Sequence, residues 1–236
     1  MTRHFGALVP STNTTVEIEY NRLLPPALQL HAARVGNAGP TPFSPPRDED
    51  VDYQSRLLGD AKVEVLCLIQ TSASLFEDGY DARIKQIMSG RAGVPAVTSA
   101  EAIGEALQAL GVKRIAIVTP YSQDVIDRAA RYYETNFGLE VVAKEAFGAT
   151  DAYAIGRMGA GNATEAFARV DRPEAEALVM PGGAFQTMTH IAAWEERFGK
   201  PVISTNQAAL WSMLRVMKIT EPLPGLGRLL DEMPAG

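Results

Sequence analysis

The sequence predicts an α/β protein with parallel sheets, built as two related halves that face each other across a cleft. Three observations carry this. Short apolar runs ended by Gly, Pro or hydroxyl residues alternate with helix-like stretches along the whole chain. The clearest run, Val65-Leu66-Cys67-Leu68-Ile69, reads as a strand buried on both faces in the middle of a parallel sheet. Three segments then recur in order. Gly6 to Ser11 matches Ala116 to Tyr121, Val65 to Thr71 matches Ala177 to Gly183, and Gly93 to Thr98 matches Gly199 to Ser204. The spacing of about 106 to 112 residues is too long for a solenoid repeat.

Taken in order, Phe5 to Val9 is a first buried strand, after which Thr14 or Thr15 caps a helix through Asn21. Leu28 to Val35 is a second strand. Gly36 to Pro46, the segment richest in Gly and Pro, is expected as an ordered loop over the sheet. A polar helix from Asp48 to Gly59 leads into the Val65 strand. A helix over Asp81 to Ser89, a short strand at Val94 to Val97 and a helix from Ala100 to Leu110, ended by Gly111, complete the first half. In the second half, strands are expected at Arg114 to Val118, Leu139 to Phe147, Ala177 to Met180 and Pro201 to Ser204. Helices are expected at Gln123 to Phe137, Thr164 to Val170, Ile191 to Phe198 and Asn206 to Met217.

Composition narrows the function. A net charge of -6 with scattered Lys and Arg argues against nucleic acid. No apolar stretch is long enough to span a membrane, and the start of the chain has too short an apolar run for a secretory signal. The single cysteine, Cys67, excludes an intramolecular disulfide, and His4, His31 and His190 lack metal-ligand spacing. The expectation is a cytoplasmic protein without metal or cofactor; a homo-oligomer is compatible with the sequence.

Ligands of open α/β sheets bind beyond the carboxyl ends of the strands. If the halves face each other, four such ends converge: Pro10 to Asn13, Gln70 to Ser74, Thr119 to Tyr121, and Pro181 to Ala184. They carry hydroxyls, amides, a phenol and two glycines, and no Lys, Arg, Asp or Glu. Neutral donors and backbone N–H groups suit a small carboxylate that gains charge as it reacts. Thr71 and Ser72 would equally serve as caps, and Gly182-Gly183 as a turn needing only its backbone angles.

Pro10-Ser11-Thr12-Asn13 with Glu17, Gln70-Thr71-Ser72, Thr119-Pro120-Tyr121 and Gly182-Gly183 with Gly199 to Ser204 together resemble one family. It is the maleate cis-trans isomerase and arylmalonate decarboxylase branch of the aspartate/glutamate racemase superfamily. The resemblance implies two pseudo-symmetric, roughly four-stranded lobes, the first over residues 1–98 and 207–236 and the second over 99–206. It also implies cofactor-independent decarboxylation or isomerisation of a small mono- or dicarboxylic acid. Members work with cysteines; here the first position falls at Gln70 and the second at Gly182 or Gly183. Cys67, inside the strand, reads as a packing residue.

By the resemblance, Ser11, Asn13, Thr71, Ser72, Tyr121, Gly182 and Gly183 bind the carboxylate, and Tyr121 and Gln70 are the catalytic candidates. Ser11 and Tyr121 should occupy equivalent places facing one cleft. Glu17 reads as a surface or capping residue, His190 as a helix start, and Glu77-Asp78 and Glu195-Glu196 as solvated charges. Asp151 and Arg157 lie in a segment like the one that precedes a lobe-closing helix in the family. A non-catalytic carboxylate-binding protein of the same fold is the alternative.

Overall fold

The computed structural model describes residues 2–149 and 152–235; Asp151 lies outside them. The first half runs β1 (Arg3–Pro10), α1 (Val16–Leu23), β2 (Leu28–Val35), α2 (Asp48–Asp60) and β3 (Leu66–Leu68). A 3-10 helix (Thr71–Leu75), α3 (Tyr80–Ala92), β4 (Ala96–Thr98) and α4 (Ser99–Ala109) follow. The second half runs β5 (Arg114–Thr119), α5 (Gln123–Phe137), β6 (Glu140–Ala146), α6 (Ala152–Ile155), α7 (Ala160–Val170) and β7 (Ala177–Met180). It closes with α8 (Ile191–Phe198), β8 (Val202–Ser204), α9 (Thr205–Val216) and α10 (Arg228–Glu232).

The two sheets are parallel throughout and have the same order, β2-β1-β3-β4 and β6-β5-β7-β8. The recurrence seen in the sequence is therefore a recurrence of topology. Both faces of the first sheet are covered, which is why its central strands read as unbroken apolar runs. Leu8, Leu66 and Leu68 pack with Val51, Leu58, Tyr80, Ile84 and Met88 of α2 and α3. Phe5, Ala7, Val9, Val65, Cys67 and Ile69 face the opposite way, into a core shared with the second sheet, α4 and α9. Alternation along β3 thus sends the Cys67 sulfur into packed interior, as expected.

Several local readings change. The helix after β1 starts at Val16, and its end is capped by Asn13, whose Oδ1 accepts from Thr15 N at 2.9 Å and Val16 N at 3.0 Å. Thr15 instead donates its hydroxyl to the Ala184 carbonyl at 2.6 Å. A 3-10 turn, α6 and α10 were not foreseen; all are only four or five residues long, too short to show a period. Glu195 is not a free surface charge: it accepts from Val202 N at 2.9 Å and Arg228 N at 2.7 Å. Glu17 pairs with Arg34, and Glu77 and Asp78 pair with Arg83 and Arg131, all at the surface.

The helices α2 and α3 approach closely at Gly59, where an added Cβ would lie 2.8 Å from the Ala92 Cα and 2.9 Å from its carbonyl oxygen. Gly to Ala inside a helix normally gains about 1 kcal/mol. Here backbone must move, so Gly59→Ala is expected to destabilise by about 1–3 kcal/mol, read as a lower urea midpoint with an unchanged slope.

Candidate active site

The carboxyl ends of β1, β3, β5 and β7 converge on one cavity of about 40 Å³. Its walls are Pro10, Thr12 and Asn13 after β1, Ile69 to Ser72 after β3, Tyr121 after β5, and Gly182 to Ala184 after β7. Pro42 and Phe43 of the loop between β2 and α2 cover it, and Ile155 of α6 closes one side. At about 10–15 Å³ for each water-sized group, the space takes a carboxylate head and little more. Among the described residues, no Lys, Arg, His, Asp or Glu lines the walls.

Six of the seven expected binding residues and both catalytic candidates meet here. Ser11 does not. Its N–H continues the ladder to Val35 O at 2.9 Å, and its exposed side chain lines an adjoining recess of about 100 Å³ with Asn37. Thr12 takes its place beside the cavity, so Ser11 lines the adjoining recess and not the cavity that Tyr121 lines. His190 sits before α8 with its ring 5.7 Å from Trp194. Arg157, on the turn after α6, is not among the lining residues.

Several of the expected side chains are engaged with the protein itself. The Gln70 Nε2 donates to Ser44 O at 2.8 Å, tying down the covering loop, whose Phe43 ring packs edge-on against Tyr121 with centroids 5.0 Å apart. Thr71 Oγ1 lies 2.9 Å from Thr205 Oγ1 and 3.0 Å from Ser99 Oγ. Thr205 Oγ1 also accepts the Gly182 N–H at 2.8 Å. This hydroxyl chain crosses from one half to the other. It leaves the Thr71 hydroxyl, and the Gly182 N–H, little capacity for a ligand.

What stays free is narrower than the sequence suggested. Among the described residues the Gly183 and Ala184 N–H groups have no acceptor. Burial pushes the Tyr121 phenol well above the usual tyrosine range, and the nearby Ser72 hydroxyl opposes that shift. Gly182 has φ +144°, and a Cβ there would come within 2.9 Å of Pro120 and 3.9 Å of the Tyr121 hydroxyl. Only glycine suits that conformation so close to the Pro120 ring. Burial likewise pushes the Cys67 thiol far up, so it holds no thiolate at neutral pH.

Sequence reading missed Thr12, Phe43, Ser99, Glu19, Thr205 and Asn206. Ser99 and Thr205 directly follow the matched segments Gly93 to Thr98 and Gly199 to Ser204, so extending the match by one residue finds both. Glu19 is buried and accepts from Thr187 N at 2.7 Å, Met188 N at 2.9 Å and Asn206 Nδ2 at 2.6 Å. Burial raises its carboxyl pKa while those three bonds pull it back.

A neutral, donor-lined cavity between two like α/β lobes defines a class of enzymes that act on small carboxylic acids. Within that class the chain belongs to the arylmalonate decarboxylase family, whose profile matches residues 5–230. It is 30% identical to the maleate isomerase of Pseudomonas putida over 96% of both chains. It is 29% identical to the arylmalonate decarboxylase of Bordetella bronchiseptica, also over 96% of both. Among solved structures it superposes with TM-score 0.87 and 26% identity on a cysteine-to-serine mutant of Nocardia farcinica maleate cis-trans isomerase. That alignment covers 98% of this chain and 99% of the other, which carries a covalently bound succinylcysteine intermediate.

Because burial raises the Tyr121 pKa, its phenolate is absent throughout the neutral range. Alkaline titration followed at the phenolate absorbance band should superpose for wild type and Tyr121→Phe up to about pH 10, where ordinary tyrosines ionise. An extra phenolate signal in the wild type below that pH would show a more acidic, less enclosed phenol.

Proposed function

We propose that this protein is a cofactor-independent decarboxylase or isomerase that acts beside the carboxylate of a small organic acid, without a catalytic thiol. The observation that supports it is the pairing of a neutral donor cradle with a lone cysteine held in the core. Of the donors, Ser72, Tyr121 and the N–H groups of Gly183 and Ala184 would hold the carboxylate, with Asn13 contributing its remaining capacity. As a bond to the α-carbon breaks, charge moves onto the carboxylate as an enediolate, and fixed donors in a dry site favour it over the ground state. Tyr121 acts as a neutral hydrogen-bond donor and as the proton source, not as a base. Gln70, where the relatives' first cysteine is expected, secures the loop that keeps water out.

The substrate class follows from the relatives, arylmalonates and maleate among their names. The covering loop and the recess beside Ser11 give room for the rest of such an acid once Pro42 and Phe43 shift. The missing site thiols favour one rival: a protein that binds the carboxylate and does no chemistry.

A stabilisation screen with maleate, phenylmalonate and simple mono- and dicarboxylates, followed by product analysis, separates the two. Turnover supports the enzyme, saturable binding without product supports the rival, and neither would overturn both. Cys67→Ala is expected to lower stability by about 1 kcal/mol through a small cavity and to leave turnover within threefold of wild type. A hundredfold loss in a folded variant would return a thiol to the mechanism.

A further inference from the structure

We propose that Glu19 is a positioning residue for the carboxylate cradle, acting through Asn206 on the turn after β7. The inference rests on the reading that the cavity holds a carboxylate. The carbonyls of Gly182, Gly183 and Ala184 are all held, while the Gly183 and Ala184 N–H groups have no acceptor among the described residues. The Gly182 carbonyl accepts from Phe185 N at 3.0 Å. The Gly183 carbonyl accepts from Asn13 Nδ2 at 3.1 Å and Asn206 Nδ2 at 3.2 Å, and the Ala184 carbonyl from the Thr15 hydroxyl. Fixing a peptide's oxygen fixes the direction of its N–H. The Gly183 and Ala184 N–H groups are therefore aimed by these bonds, and both residues line the cavity.

Glu19 controls this from behind. One oxygen gathers the Thr187 and Met188 N–H groups and holds the end of the turn; the other accepts from Asn206 Nδ2. That contact decides which way the Asn206 amide faces. Only with its nitrogen towards Glu19 does the same nitrogen reach the Gly183 carbonyl. The choice leaves Asn206 Oδ1 buried with no partner, an arrangement that a free amide would not adopt. A carboxylate surrounded by neutral donors also carries a desolvation penalty that a plain packing contact would not require. Sequence distance hides the pairing, since Glu19 and Asn206 lie 187 residues apart.

Glu19→Gln sets two amide nitrogens against each other. Asn206 then turns, and its oxygen opposes the Gly183 carbonyl. Carboxylate affinity and turnover should fall at least tenfold in a folded variant, with a matching rise in amide exchange at Ala184, whose N–H shares a peptide with the Gly183 carbonyl. The turned Asn206 oxygen accepts from the introduced amide, so the two positions stay hydrogen-bonded and stability should fall far less than binding and turnover. A stability loss that accounts for the whole loss of binding would reduce Glu19 to a structural clamp and overturn the proposal, as would unchanged binding and exchange in Glu19→Gln. If Glu19→Gln fails to fold, Asn206→Ser removes the donor to Gly183 while leaving Glu19 its two backbone partners, and the same losses are expected; unchanged binding and exchange there overturn the proposal. If wild type binds none of the carboxylates, the functional reading fails. The exchange comparison at Ala184 still decides whether Glu19 sets the turn.

Discussion

The turn that follows β7 is held from both halves of the molecule, and the site depends on that grip. Asn13 and Thr15 at the start of α1 bind its carbonyls, Glu19 further along α1 binds the N–H groups at its end, and Thr205 and Asn206 at the start of α9 bind it from the other side. Without these contacts Gly182-Gly183 is an unconstrained pair of glycines with high backbone entropy. With them it is a rigid edge whose free N–H groups point one way. Rigidity of this kind lets donors favour a developing charge, since no reorganisation is needed as the charge appears.

The internal repeat explains how the grip arose. Ser99 and Thr205 begin α4 and α9, the two helices that pack together between the sheets. Each stands one residue after a matched β-strand, so the hydroxyls are equivalent, and both reach the Thr71 hydroxyl. A polar chain on the approximate axis of a two-fold arrangement needs few residue types and satisfies both halves at once. Asp81 performs a second joining role away from the cavity. Its carboxylate accepts from Ser74, Thr98 and the Tyr132 hydroxyl of α5.

Much of this was legible in the sequence. Strand positions, parallel direction and the buried Cys67 follow from apolar runs and from alternation, which are properties of neighbouring residues. α5, β7 and α8 match the expected bounds residue for residue. The convergence of Asn13, Thr71, Ser72, Tyr121 and Gly183 followed from the repeat. What stayed hidden was the use each group makes of its hydrogen-bonding capacity. Thr71 looks like a ligand donor until Ser99 and Thr205 are seen beside it, and Asn13 until it is seen capping α1. Such partners are far away in sequence, and a list of donors at strand ends cannot distinguish a free donor from an engaged one.

The departure from symmetry gives the cavity its direction. By the matched spacing, Gln70 of the first half corresponds to Gly182 of the second. One carries a long amide that reaches to Ser44 and anchors the covering loop; the other carries nothing, and its bare backbone admits the Pro120 ring. The polar donors therefore gather towards Gly183 and Tyr121, while Pro42, Phe43, Ile69 and Ile155 form apolar walls around them. An acid entering with its carboxylate on the donors must turn its remaining substituents towards those apolar walls. A second charged group there would lose its hydration with no cation among the described lining residues to compensate it. On the proposed reading, that electrostatic asymmetry would favour either loss of the second carboxylate as neutral CO2 or its placement in the adjoining recess beside Ser11.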